Sequence, residues 1–260
     1  MNYIGFLAAC VAACAGAQEM VTVPTREGVT QSFVIADTAG REARAVALMY
    51  TGGGGAIHLR KENGRVKFGE RNFLPRSRGE FARNGIVPVV LDVPSDLTEL
   101  SDYYRSSEEQ TADARAVLVE LKRRYPGLPV YIVGTSRGTL SAAHVARALG
   151  ADIAGVVLTS SIFIAPGRRG GASLGDFDYA GIKAPLLFVH HRDDTCQATP
   201  YFATGSIAAR YTLVSVRGGK PAESPPCEPL SPHGYYGREA ATVDAIAAWM
   251  LKRPFPKDID

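Results

Sequence analysis

The stretch VYIVGTSRGTLSAAHVARAL, residues 130 to 149, joins an apolar run typical of a buried strand to a segment with helical periodicity. Between the two lies GTSRG, which fits the pattern Gly-x-Ser-x-Gly. A serine at the tip of a tight strand-to-helix turn projects its hydroxyl above the sheet, and glycines beside it remove side chains that would clash. A helix that starts just after the serine also directs backbone N–H groups toward a developing oxyanion. The stretch therefore predicts that Ser136 is a nucleophile.

Apolar runs rich in Val, Ile and Leu alternate with helical segments along the rest of the chain. The runs are ARAVALMY (43–50), IVPVVLDVP (86–94), IAGVVLTSS (153–161), APLLFVHH (184–191) and YTLVSV (211–216). Near-continuous apolar sequence is typical of strands that are covered on both faces. We therefore predict an α/β fold with a doubly wound, mostly parallel sheet of about eight strands flanked by helices. About two dozen residues separate the third and fourth of these runs, which leaves no room for a large cap domain.

Length and composition fit one large domain, predicted over residues 18–260. The chain has 260 residues, of which 46% are hydrophobic, enough to bury a sizeable core. Its net charge of +3 comes from basic residues scattered along the chain, so we expect no nucleic-acid partner.

The first 17 residues are predicted to be a signal peptide. The apolar run from Ile4 to Ala17 is too short for a membrane span, and the small-residue site AGA precedes Gln18. LAAC and VAAC also resemble lipobox sites, in which Cys10 or Cys14 would carry a lipid anchor. The missing Lys or Arg before Ile4 fits neither route and leaves two alternatives, a true start of the chain further upstream or a buried N-terminal helix. We expect an exported protein, either periplasmic or secreted or a membrane-anchored lipoprotein, with no transmembrane span after processing.

A nucleophilic serine needs a base, and the base needs a carboxylate that orients it. Asp193 and Asp194 follow directly after the run APLLFVHH, and His233 lies in SPHGYYG, ahead of the last helical segment. The competing histidines are His58, His144, His190 and His191. His233 is preferred as the base because it alone follows the acid in the chain and has a loop of its own.

These motifs resemble those of the α/β-hydrolases, and the similarity spans nearly everything after residue 20. GTSRG resembles the nucleophile elbow, VHHRDDTC (189–196) the acid loop and HGYYG (233–237) the histidine loop, in the chain order of that family. Aligned by its spacing, the acid loop puts the carboxylate at Asp194, with Asp193 as the alternative. Two positions depart from the family pattern: Thr51 stands where the oxyanion segment often has His, and His191 stands where the acid loop often has Gly.

The segment TGGGG (51–55) resembles the glycine-rich oxyanion segment of esterases and lipases. The resemblance implies an oxyanion hole built from the backbone N–H of Arg137 and that of Gly53, or alternatively Gly54. Glycines suit this role because a backbone without side chains can approach a substrate carbonyl closely. A phosphate-binding loop is the competing interpretation, but neither glycine pattern typical of nucleotide binding is present.

Cys196 and Cys227 would reach an oxidising compartment if the protein is exported, and we predict one disulfide between them. Two buried free thiols are the alternative. Cys196 lies two residues after Asp194 and Cys227 six residues before His233. A bridge would therefore tie the acid loop to the histidine loop.

Together these residues predict a serine hydrolase that acts through an acyl-enzyme intermediate. The resemblance implies a small-molecule carboxylic ester as substrate, and we expect neither a metal nor an organic cofactor. The alternatives are a thioesterase or a secreted peptidase of the same fold, or a non-catalytic exported binding protein.

Overall fold

The computed structural model describes residues 18–38, 40–165 and 171–260, so the predicted signal peptide and its two cysteines lie outside the described residues. The strands in the described ranges are β1 Gln18–Arg26, β2 Val29–Ala36, β3 Ala45–Tyr50, β4 Arg60–Glu62, β5 Arg65–Lys67, β6 Ile86–Pro94, β7 Val130–Thr135, β8 Gly155–Thr159, β9 Leu186–His191, β10 Thr212–Val216 and β11 Asp258–Ile259. The helices are α1 Phe73–Arg76, α2 Arg78–Arg83, α3 Glu108–Arg124, α4 Gly138–Leu149, α5 Gly205–Ala208 and α6 Glu239–Met250. Single 3₁₀ turns lie at Tyr104–Ser106, Gly150–Asp152, Tyr179–Gly181, Tyr201–Thr204 and Pro232–Gly234.

Nine of these strands form one sheet in the order β1-β2-β6-β3-β7-β8-β9-β10-β11. β1 and β2 are antiparallel to their neighbours, and every pairing from β6 to β11 is parallel. The prediction of a doubly wound, mostly parallel sheet is thus confirmed, with one strand more than the expected eight. The additional strand is β11, whose two residues pair with Ser215 and Val216 and are too few to show a periodic pattern.

The central strands are buried on both faces, which explains their near-continuous apolar sequence. In β3, Val46 and Leu48 pack into the core layer beneath α3 and α4, whereas Ala47 and Met49 pack into the layer beneath α1, α2 and α6. This division follows from the alternation of side chains along a strand. All four residues are fully buried.

The long helix α3 begins at a serine cap. Ser107 is the N-cap and accepts a hydrogen bond from the Gln110 N–H, with Oγ and N 3.2 Å apart. Glu108 and Glu109 occupy the first turn, and three basic residues occupy the last, so both ends complement the helix dipole. None of the helices in the described ranges is long and apolar enough to cross a membrane.

The parallel strands bring the predicted site residues to one edge of the sheet. The glycine segment follows β3, Ser136 follows β7, Asp194 follows β9, and His233 lies in the connection after β10. The carboxyl ends of parallel strands meet at the same edge, where ligand sites of open α/β sheets form. The connection from β8 to β9, apart from residues 166–170, contains only one short 3₁₀ turn and no cap domain.

Candidate active site

Ser136 sits at the sharp turn between β7 and α4 with φ of 52°, a left-handed conformation that residues other than glycine rarely adopt. The two glycines of GTSRG make this turn possible. A Cβ on Gly138 would lie 2.1 Å from the Tyr50 carbonyl oxygen, and a Cβ on Gly134 would lie 2.6 Å from Ala142 Cβ. Helix α4 therefore packs so closely on β3 and β7 that neither position accepts a side chain.

Asp194 is buried at the end of the acid loop, and its carboxylate is held from two directions. Oδ1 accepts a hydrogen bond from the Cys196 N–H at 2.9 Å, and Oδ2 accepts one from the Thr199 hydroxyl at 2.8 Å. Asp193 is exposed and turns the other way, where its Oδ2 accepts from the Gly218 N–H at 3.1 Å. Of the two sequence candidates, Asp194 alone faces the histidine.

His233 contacts Asp194 directly, with Nδ1 and Oδ2 3.0 Å apart. An ionised carboxylate can only accept, so Nδ1 carries the proton and the lone pair of Nε2 is available to act as a base. Nε2 is buried and has no hydrogen-bond partner in the described part of the chain. The Thr199 hydroxyl lies 3.1 Å from Nδ1 and completes a buried group of three side chains.

Ser136 and His233 line one cavity of about 140 Å³ at the carboxyl edge of the sheet. Its other lining residues are Gly52, Gly53, Asn72, Phe73, Thr135, Cys227, Glu228, Pro229 and Gly234. Among the described residues, no hydrogen bond joins Ser136 Oγ to Nε2 of His233. Such bonds are often long in the absence of substrate and tighten in the reactive complex. The structure thus joins Asp194 to His233 and places Ser136 in the same cavity as His233.

The predicted oxyanion donors differ in position. Gly53 lines the cavity, whereas Gly54 does not, and a Cβ on Gly54 would lie 3.1 Å from a carboxylate oxygen of Glu99. The backbone N–H groups of Arg137 and Gly53 donate no hydrogen bond to any described residue. This placement favours Gly53 over Gly54. The Arg137 side chain pairs with Asp102 at 2.6 Å and does not line the cavity.

Two polar side chains donate hydrogen bonds to backbone carbonyls of the glycine segment. The Thr51 hydroxyl donates to the Gly55 carbonyl at 3.0 Å, so the residue that departs from the family pattern holds the turn closed. The fully buried Arg105 donates to the Gly53 carbonyl at 2.7 Å and to the Ser141 hydroxyl at 3.0 Å. Burial lowers the pKa of Arg105 to about 10, and the guanidinium remains a cation at neutral pH.

None of the other four histidines lines the cavity with Ser136. Nε2 of His190 accepts from the Ser161 N–H at 2.9 Å, and complete burial lowers the pKa of His190 to about 3, so the ring stays neutral. His191 bonds the Gly218 carbonyl at 2.9 Å, His144 packs on Phe177, and His58 lies exposed in a loop. No group of three or more His, Cys, Asp or Glu side chains in the described ranges has the arrangement of a metal site.

A buried hydroxyl network holds the histidine loop against the sheet. The Tyr235 hydroxyl donates to the Val189 carbonyl at 2.7 Å and accepts from the Ser160 N–H at 3.1 Å. The Ser160 hydroxyl donates to the His233 carbonyl at 2.8 Å. Both Ser160 and Tyr235 have positive φ, at 45° and 58°. The carboxyl ends of β8 and β9 thereby fix the backbone at His233 and two residues after it.

Tyr235→Phe is expected to lower the free energy of unfolding by about 2 kcal/mol, because it removes two buried hydrogen bonds, the one that the hydroxyl donates to the Val189 carbonyl and the one that it accepts from the Ser160 N–H. The Ser160 N–H keeps its bond to the Val189 carbonyl at 3.0 Å. Tyr236→Phe is the matched control. Its hydroxyl bonds Glu223 at the exposed surface, so its loss should change stability by less than about 0.5 kcal/mol. Urea unfolding of both variants checks the prediction, and equal effects would contradict it.

The sulfur atoms of Cys196 and Cys227 lie 2.07 Å apart, at disulfide distance, as the sequence predicts for the oxidised protein. Cys227 also lines the cavity, while the backbone N–H of Cys196 bonds Asp194. The link therefore joins the carboxylate loop directly to the cavity wall that precedes His233.

The double variant Cys196→Ala, Cys227→Ala is expected to lose about 3 to 4 kcal/mol of stability, because the bridge closes a segment with a sequence separation of 31. Denaturant unfolding of the variant and of the oxidised wild-type protein measures this loss. Equal midpoints for the two proteins, with free thiols absent from the wild type, would contradict the stabilising role.

Three residues of the site were not predicted from the sequence. Thr199, Asn72 and Ser160 lie in loops without a periodic pattern or a recognisable motif, and their roles depend on contacts between distant segments. The Ser-Ser pair after the apolar run VVLT was the one visible signal for Ser160.

Comparison with solved structures identifies the fold. An α/β serine hydrolase without lid from Xanthomonas campestris matches with a TM-score of 0.60 and 15% identity, over 92% of this chain and 95% of that one. Est1E from Butyrivibrio proteoclasticus matches with a TM-score of 0.58 and 15% identity, over 92% and 98%. An esterase from Pyrococcus furiosus matches with a TM-score of 0.56 and 14% identity, over 83% and 86%. No family model and no curated protein matches the sequence. The chain therefore has the α/β-hydrolase fold that its motifs resemble.

Proposed function

We propose that the protein is a serine hydrolase that cleaves small carboxylic esters through an acyl-enzyme intermediate. One observation carries the proposal: Nδ1 of His233 bonds the buried Asp194, Nε2 has no hydrogen-bond partner among the described residues, and His233 lines the same cavity as Ser136. The strained conformation of Ser136 supports it, because such strain persists mainly at functional positions. Solved structures of the same fold that are described as a serine hydrolase and as an esterase add to this support.

In the proposed reaction, Nε2 of His233 takes the proton of Ser136 Oγ as Oγ attacks the acyl carbon. The N–H groups of Arg137 and Gly53 donate to the oxyanion that forms. The bond from the acyl carbon to the alcohol oxygen then breaks, and the alcohol leaves with the proton from Nε2. Water then attacks the acyl carbon of the acyl-enzyme and gives a proton to Nε2. The Oγ–acyl bond breaks, Oγ takes that proton from Nε2, and the carboxylic acid is released. Asp194 stabilises the imidazolium in both halves of the reaction.

The size of the cavity supports a short acyl group. At about 140 Å³ it is smaller than pockets for drug-sized ligands, which hold roughly 300 to 1,000 Å³. Phe73 and Pro229 give it an apolar wall, and Glu228 is the charged side chain in the lining. Short, uncharged acyl groups therefore fit this space better than long or anionic ones.

A panel of p-nitrophenyl esters from acetyl to octanoyl tests the proposal, with Ser136→Ala as the control. We expect kcat/KM to be highest for acetyl or propionyl and to fall at least about tenfold by octanoyl, a difference of roughly 1.4 kcal/mol. A matched p-nitroanilide distinguishes an esterase from a peptidase. Activity that rises with chain length would contradict the short acyl group, and absence of Ser136-dependent turnover on every ester would contradict the ester hydrolase.

We also propose that the protein works in an oxidising, extracytoplasmic compartment. The Cys196–Cys227 geometry supports this, because disulfides persist mainly in such compartments. The signal peptide predicted over residues 1–17 agrees with it. Cell fractionation with mass spectrometry of the mature N-terminus tests the proposal, and a cytoplasmic protein with an intact N-terminus would contradict it.

A further inference from the structure

Asn72 is a polar side chain of the cavity without a part in the proposed reaction. Asn72 is half-buried at the start of α1 and lines the cavity together with Ser136, His233 and the first two residues of the glycine run. No charged group in the described ranges pairs with Asn72, and the motifs of the sequence analysis do not include it.

The orientation of the Asn72 amide follows from its capping contact. Oδ1 accepts a hydrogen bond from the Leu74 N–H at 3.4 Å, and only the oxygen end of an amide can accept. Nδ2 therefore faces away from the helix. It donates no hydrogen bond to any residue in the described ranges.

The position of Nδ2 follows from the space above Gly52. A Cβ on Gly52 would lie 3.1 Å from Nδ2 of Asn72 and 3.0 Å from Cβ of Ser136. The amide nitrogen and the serine side chain therefore share one face of Gly52, next to the Gly53 peptide. The absence of a side chain at Gly52 is what allows both groups to approach this point.

We propose that Asn72 donates a hydrogen bond from Nδ2 to the oxyanion, as a third donor beside the N–H groups of Arg137 and Gly53. This role rests on the proposed serine mechanism. The donor is positioned before the reaction, because the cap contact with Leu74 holds the amide. A donor of this kind acts on charge that appears only in the transition state, so its loss lowers kcat and leaves KM nearly unchanged.

Three variants separate this role from helix capping. Asn72→Ser and Asn72→Asp keep a side-chain oxygen that can cap α1, whereas Asn72→Ala does not. For p-nitrophenyl acetate we expect kcat to fall about 10- to 100-fold in Asn72→Ser and Asn72→Ala, with KM within about threefold. Asn72→Asp should fall further, because a carboxylate repels the oxyanion. Asn84→Ser, at the far end of α2, is the remote control and should keep the wild-type kcat.

Several results would overturn the role of Asn72. The first is an unchanged kcat in folded Asn72→Ser. The second is a loss of kcat in Asn72→Ala that neither Asn72→Ser nor Asn72→Asp shows. The third is a change in KM with kcat unaltered. Circular dichroism and unfolding midpoints establish that each variant is folded. Turnover by the wild-type protein and its loss in Ser136→Ala are measured in the same series. A wild-type protein without Ser136-dependent turnover would overturn the proposed function itself, and the role of Asn72 with it.

Discussion

Ser136→Ala is expected to lower kcat for p-nitrophenyl acetate by about 10⁵-fold or more. The residual rate is the one that the rest of the site supports without its nucleophile. The acyl-enzyme route needs Oγ of Ser136 as the attacking atom. Thr135 also lines the cavity, but it is the last residue of β7 and does not stand at the tip of the turn. The substitution removes one oxygen atom and relieves no packing constraint. The variant should therefore fold normally, although alanine at φ of 52° carries the same backbone strain as serine.

Ser106→Ala is the matched control for this result. Its hydroxyl lies at the surface and bonds only backbone carbonyls of its own turn, so we expect wild-type kcat. Steady-state kinetics of both variants, after each has been shown to be folded, checks the prediction. Retention of more than about one hundredth of the wild-type kcat in Ser136→Ala would contradict the role of Ser136 as nucleophile.

Asp194→Asn is expected to lower kcat by about 10⁴-fold while leaving the shape of the protein unchanged. The amide can donate to Nδ1 of His233 and so favours the tautomer whose proton is on Nε2, the wrong nitrogen for a base. The amide also lacks the charge that stabilises the imidazolium. The buried contacts with Cys196 and Thr199 keep the new side chain in the same place.

Asp193→Asn makes the identical chemical change one residue earlier and serves as the control. Asp193 is exposed and bonds the Gly218 N–H, so the variant should keep kcat within about threefold of wild type. Kinetics of the pair at one pH measures the difference. Equal losses in the two variants, or a larger loss in Asp193→Asn, would contradict the assignment of Asp194 as the acid.

The fold could be predicted from the sequence because its signals are local and repeated. The buried strands read as apolar runs, and the helix between Ser107 and Arg124 carries a cap and end charges that fit its dipole. Strand β11 and the exposed β4–β5 hairpin were missed. Two or three residues are too few to show a period, and the pairing of β11 with β10 depends on where the chain returns after α6.

The candidate site could be predicted as far as its residues belong to motifs. Ser136, Asp194 and His233 each stand in a recognisable segment after an apolar run, and the structure joins the last two directly. The positions of Thr199 and Asn72 could not be predicted, because each depends on a contact between loops that are distant in the sequence. The choice between Gly53 and Gly54 also needed coordinates, since neighbouring glycines are indistinguishable in a run of four.

Reaction with a fluorophosphonate, followed by digestion and mass spectrometry, tests the central claim most directly, because the reagent bonds only to a serine activated by its base. The account predicts one phosphonyl group per chain, on Ser136, with labelling lost in Ser136→Ala and strongly slowed in Asp194→Asn. Folded wild-type protein that stays unlabelled, or that carries the label on a different residue, would contradict it.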